Sequence, residues 1–210
     1  MVAFRDIACY PAMGRVLSLT LLVGFISFGC SAKGLIPLEK GGPEDREVRH
    51  YISDVPFFPQ STYQCGPAAL ASVLNYYGCQ VNPGEIAKAI YNKRLRGTLS
   101  IDLILFAQRM EFNARPYSGS LADLKGHIGR NHPLIVFQDL GYPLLPIHHF
   151  SVAIGYDDTR GILILHSGKR SNKAISYERF LRSWVKMDYW TLLILPHQGE
   201  GDSFDIPTSR

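Results

Sequence analysis

Apolar residues recur at helical spacing through the middle of the chain and gather into short strand-like runs towards its end. Pro67 to Tyr77 is apolar and alanine-rich, with proline at its start and Gly78 just past its end, which predicts a helix. Asn82-Pro83-Gly84-Glu85 has the form of a capping box and opens a short helix to about Tyr91. Ser100 precedes IDLILFAQRM, and Ser120 caps LADLKGHIG, giving two more helices. The pattern then changes. Leu134–Phe137 is a short apolar strand, and His149–Tyr156 and Ile162–Leu165 are strands joined by the turn DDTRG. Tyr177–Val185 is amphipathic and helical, and Tyr189–Leu195 forms a last strand. Helices followed by antiparallel strands predict an α+β domain. Its expected limits are 51–197, with a polar, flexible tail over 198–210.

The opening segment follows neither period. Val16 to Phe28 reads VLSLTLLVGFISF, and no charge falls between Val16 and Ala32. It is shorter than the ~20 apolar residues of a spanning helix. With Arg5 and Arg15 as its positive flank it fits the core of a signal peptide over residues 1–29. The run ends in ISFGC, and a small residue directly before Cys30 resembles the lipobox of bacterial lipoproteins, although Ser27 stands where leucine is usual. That resemblance implies a lipid on Cys30, a tether over 30–50 and a protein exported to the cell envelope, at the outer membrane facing the periplasm.

Composition narrows the function. The 210 residues carry 46% hydrophobic and 19% charged side chains, enough for one ordinary core plus a leader. A net charge of +4 without a basic run argues against a nucleic-acid partner. No GxxxxGK[ST] loop is present, so ATP is not an expected ligand. The four cysteines, Cys9, Cys30, Cys65 and Cys79, form no CxxC pair, and neither a metal site nor a cofactor is expected. Cys79, after the helix-ending Gly78, reads as structural.

Cys65 differs because Gly66 and Pro67 follow it and begin a helix. Unpaired N–H groups and a partial positive charge at a helix start favour a thiolate, so the thiol pKa is expected to fall. The same N–H groups can hold an oxyanion, and Gly66 is expected to leave room for a substrate backbone. A thiol nucleophile needs a base. In IHHFSVAIGYD, His149 shares a strand face with Ser151, Ala153 and Gly155, which leaves space beside the ring, whereas His148 shares its face with Phe150, Val152 and Ile154.

Taken together, QCGPAAL opening a helix, VPFFPQ ahead of it and HHFSVAIGYD on a strand resemble the bacteriocin-processing cysteine peptidases of family C-thirty-nine, in their stand-alone exported form. The resemblance covers Val55 to Pro196. It implies a papain-like α+β fold and hydrolysis of peptide bonds in a peptide or protein substrate. Cys65 would be the nucleophile, His149 the base and Gln60 the side-chain donor of the oxyanion hole. The family's third catalytic residue is an Asp in an Asp-Pro pair, but this chain reads LILHSG there. His166 or Ser167 could replace it, a Cys–His dyad could act alone, or the domain could be an inactive peptide-binding module. Hydrolysis of a cell-wall amide is a further alternative.

Overall fold

The computed structural model describes Cys9 and residues 48–60, 64–142 and 144–197. The expected signal core, Cys30, most of the tether and the tail lie outside the described residues. Among the described residues, five α-helices and seven strands follow one another as β1 (Arg49–Tyr51), α1 (Cys65–Tyr76), α2 (Pro83–Ile90), α3 (Ser100–Arg109), β2 (Phe112–Ser118), α4 (Leu121–Gly129), β3 (Leu134–Asp139), β4 (His148–Asp157), β5 (Ile162–Ser167), β6 (Arg170–Ser176), α5 (Tyr177–Trp184) and β7 (Trp190–Pro196).

The caps act as their sequences suggest. Asn82 accepts from the Glu85 N–H while the Glu85 carboxylate accepts from the Asn82 N–H, and Ser120 accepts from the Asp123 N–H. Each closes an otherwise unpaired donor at a helix start.

All strand pairs are antiparallel, in the order β2-β7-β3-β4-β5-β6, with β1 alongside the far end of β4. The order of elements corrects the expectation of helices first and strands later, because β2 falls between α3 and α4. β2 contains Pro116, which cannot donate to a ladder, and is tolerated because this strand is an edge bonded to β7 alone on the sheet path. The polar β6 (RSNKAIS) is the opposite edge. β3 covers β4 from His148 to Ala153, and β1 takes over at Gly155. A Cβ on Gly155 would stand 2.9 Å from the His50 carbonyl oxygen, so glycine permits this close approach.

Helix α1 packs its buried face, including Leu70, Val73 and Leu74, against β4, with Phe150, Val152 and Ile154 in the same core. Burying a side chain of this size contributes about 1.5–3 kcal/mol. Helix α5 lies against β3 and β5. Cys79, 2% exposed, is in a disulfide with Cys9. Processing ahead of Cys30 would remove Cys9 and leave Cys79 without that partner.

Candidate active site

Two segments meet at the start of β4. Cys65 is the first residue of α1, whose N-cap residue Gln64 makes no side-chain cap. The N–H groups of Cys65 and Gly66, and the Phe150 N–H of β4, lie near enough to the sulfur to favour its charged form. The last of these places Cys65 beside the residue immediately after His149.

His149 is a partly exposed residue on the β4 face opposite Phe150. Its cross-strand neighbour is Gln138, and behind it Ser151 donates to Gln138 Oε1 while Gln138 Nε2 donates to Ser183 Oγ of α5. These buried bonds hold the floor under the imidazole. Nε2 of His149 lies 3.0 Å from Ser167 Oγ at the end of β5.

His166 faces the other way. Its Nε2 donates to the Val55 carbonyl at 2.9 Å, its Nδ1 accepts from the Asn172 N–H at 3.3 Å, and Phe57 packs on its ring. Both ring nitrogens are occupied, so of the two candidates for the third position only Ser167 reaches His149.

Gln60 arrives on a strap over residues 52–60. The strap is pinned by the Ile52 N–H to the Ile154 carbonyl, by Val55 to His166, and by the Gln60 N–H to the Gly168 carbonyl. The Gln60 side chain accepts from the Gly168 N–H at 3.0 Å, and its Nε2 makes a long 3.5 Å contact to the Phe150 carbonyl. Gln60 thus contacts Phe150, the same residue whose N–H lies near the sulfur.

The electrostatics correct the expectation of an acidic thiol. Burial pushes the Cys65 thiol above its ordinary value, outweighing the N–H donors of Phe150, Gly66 and Cys65 itself. Burial, followed by the positive charge of Lys173, pushes His149 down to about 4. The helix start still favours the thiolate, but at this half-buried position the loss of solvation outweighs it. The resting pair is a neutral thiol and a neutral imidazole at pH 7.

Gly66 is also corrected. A Cβ there would stand 3.1 Å from Thr98 Cβ and 3.4 Å from Leu103, so the glycine lets α1 approach its own core, not a substrate. A groove of about 500 Å³, lined by residues including Pro116, Tyr117, Phe137 and Trp190, opens beside the site. Neither Cys65 nor His149 lines it, although Phe137 stacks on Phe150 at 4.3 Å. Sequence reasoning missed Gly168 and Lys173. The Ser-Gly dipeptide after β5 was the available sign of a turn.

A thiol on a helix start, facing a strand that carries an imidazole, within an α+β fold, is the arrangement of the thiol peptidases. The Peptidase_C39 like family matches residues 52–191, and the chain belongs to it. The chain is similar to an uncharacterised protein of Methanothermobacter marburgensis, 32% identical over 113 residues, which is 53% of this chain and 72% of the relative. Among solved structures it is similar to a C39-like peptidase from Bacillus anthracis, with a TM-score of 0.59 at 18% identity over 71% of this chain and 98% of that one. It is similar also to a double glycine motif protease from an AMS/PCAT transporter in complex with the leader peptide, with a TM-score of 0.54 at 20% identity over 70% of this chain and 95% of that one. At these identities the solved structures support the fold.

Proposed function

We propose that the chain is a cysteine peptidase of the cell envelope, exported and tethered through a lipid on Cys30, that cleaves peptide bonds in a peptide or protein substrate. The observation that carries the reading is the convergence on Phe150 of β4: its N–H lies near the Cys65 sulfur, its carbonyl lies 3.5 Å from Gln60 Nε2, and His149 precedes it on the strand. Ser167 engages Nε2 of His149, which leaves Nδ1 as the ring nitrogen to take a proton. As the sulfur attacks the carbonyl carbon, the thiol proton passes to His149 and the carbonyl oxygen becomes an oxyanion. Gln60 Nε2 and the Cys65 N–H receive that charge. His149 then protonates the leaving amine, and water attacks the acyl-enzyme by the reverse route.

A second reading, a peptide-binding module without turnover, is favoured by one observation: His149 meets the Ser167 hydroxyl and is acted on by the positive charge of Lys173, where the family's pattern has an Asp. The solved double glycine motif protease is in complex with a leader peptide, and a peptide ligand for this chain fits either reading.

The test is incubation of the purified chain with a peptide mixture and mass analysis of the products. New termini formed by the wild type and absent with Cys65→Ala support the peptidase. Peptide retention without cleavage would establish the binding module instead.

A further inference from the structure

We propose that the hairpin turn at Ser167–Gly168 is a single positioning element for both halves of the catalytic apparatus: Ser167 holds the base, and the Gly168 backbone holds the oxyanion donor. The inference rests on the peptidase reading and adds to it how Gln60 is aimed.

Three bonds of 3.0 Å converge on two adjacent residues. Ser167 Oγ meets His149 Nε2, the Gly168 N–H donates to Gln60 Oε1, and the Gln60 N–H donates to the Gly168 carbonyl. Gly168 therefore fixes Gln60 by main chain and side chain together. Its N–H is a donor, so only the carbonyl end of the Gln60 amide can face it, and the amide NH2 must point the opposite way. That direction is towards Phe150, whose own N–H lies on the Cys65 sulfur. The contact from Nε2 to the Phe150 carbonyl is 3.5 Å, at the limit of a hydrogen bond, which leaves the NH2 group available to a stronger acceptor.

Gly168 makes this geometry at a φ of +64°, in the left-handed region that glycine enters freely. A Cβ at this position would meet nothing within 4 Å. Gly168→Ala therefore perturbs the turn through its backbone preference alone. Gly168→Asn should restore it, because asparagine tolerates the same region. A proline here could not make the bond to Gln60 at all.

Two probes on the full chain separate the parts. A tripeptide aldehyde, acetyl-Leu-Gly-glycinal, adds reversibly to Cys65: an S–C bond forms, the thiol proton ends on the former carbonyl oxygen, and nothing leaves. Its affinity reads the oxyanion donors. Iodoacetamide alkylates the sulfur with loss of iodide and needs no oxyanion hole, so its pH profile reads the pairing with His149.

Gly168→Ala is expected to weaken the aldehyde adduct roughly tenfold or more, towards the loss given by Gln60→Ala. It should also shift the alkylation profile in the direction of Ser167→Ala. Gly168→Asn should recover both, and Gly168→Ala should add no further loss of aldehyde affinity when Gln60 is already alanine. Aldehyde affinity unchanged in Gly168→Ala, or reduced by the same factor with and without Gln60, would overturn the positioning role alone. A wild-type chain that alkylates at Cys65 but forms no aldehyde adduct would overturn the peptidase reading, and the positioning role with it.

Discussion

Replacing Ser167 with aspartate puts a carboxylate where the hydroxyl now stands, 3.0 Å from His149 Nε2. Two opposite charges at that distance and an effective dielectric constant near 20 attract by about 5 kcal/mol. Desolvation of the new carboxylate, at a position only 6% exposed, removes part of this. A neighbouring opposite charge ordinarily moves a pKa by about 1–3 pH units. His149, now held at about 4 by burial and Lys173, should therefore titrate between roughly 5 and 7 in Ser167→Asp. An imidazolium beside Cys65 should in turn draw the thiol down.

The assay is the pH dependence of Cys65 alkylation by iodoacetamide, run beside an NMR titration of the His149 ring. Wild-type labelling should stay slow through neutrality and rise only in the alkaline range, because burial pushes the thiol above its ordinary value. Ser167→Asp should add a faster component near pH 7. An imidazole pKa that stays near 4 in the variant would refute the Ser167–His149 contact. A raised imidazole pKa with an unchanged labelling profile would refute the pairing of His149 with Cys65.

Cys65→Ala should abolish turnover with a stability change within about 1 kcal/mol by thermal melting, whereas Cys79→Ala should retain turnover. His149 has a folded pKa of about 4, below its ordinary 6.5, so the unfolded chain binds the extra proton first and stability falls as pH drops from about 6.5 to 4. The loss reaches about 3 kcal/mol at the lower limit, and the melting temperature of His149→Gln should depend correspondingly less on pH over that window. Gln138→Leu removes the bridge between Ser151 and Ser183 and should cost about 1–3 kcal/mol in denaturant unfolding.

The elements that punctuate themselves were legible in the sequence. Asn82 with Glu85, and Ser120, mark their helices by local chemistry that needs no partner. β2 and β6 were not legible, because a Pro-containing segment and a polar one become strands only through the edges they occupy. At the candidate site, Cys65 and His149 were legible as candidates because a helix start and a strand with a small-residue face are local patterns. The choice between His166 and Ser167 depended on which β5 face meets His149, and β5 changes register with β6 between Leu165 and Ser167. The thiol pKa was misread for a related reason. The helix start is a property of sequence, but the burial that outweighs it comes from the packing of α1 under β4.

That burial bears on how such a site could work. Burial pushes the Cys65 thiol up and, together with Lys173, pushes His149 down, so both shifts oppose charge separation before a substrate is bound. The less costly route moves the proton to His149 while the S–C bond forms, so that charge appears on the substrate oxygen and not first on sulfur. The donors facing that oxygen then carry more of the rate than they would in an enzyme with a ready thiolate. On the peptidase reading that burden would fall on Gln60, whose Oε1 accepts from the Gly168 N–H. On the peptidase reading, a half-buried thiol and a backbone-held glutamine belong together, the oxyanion donors supplying what a carboxylate beside His149 would otherwise give.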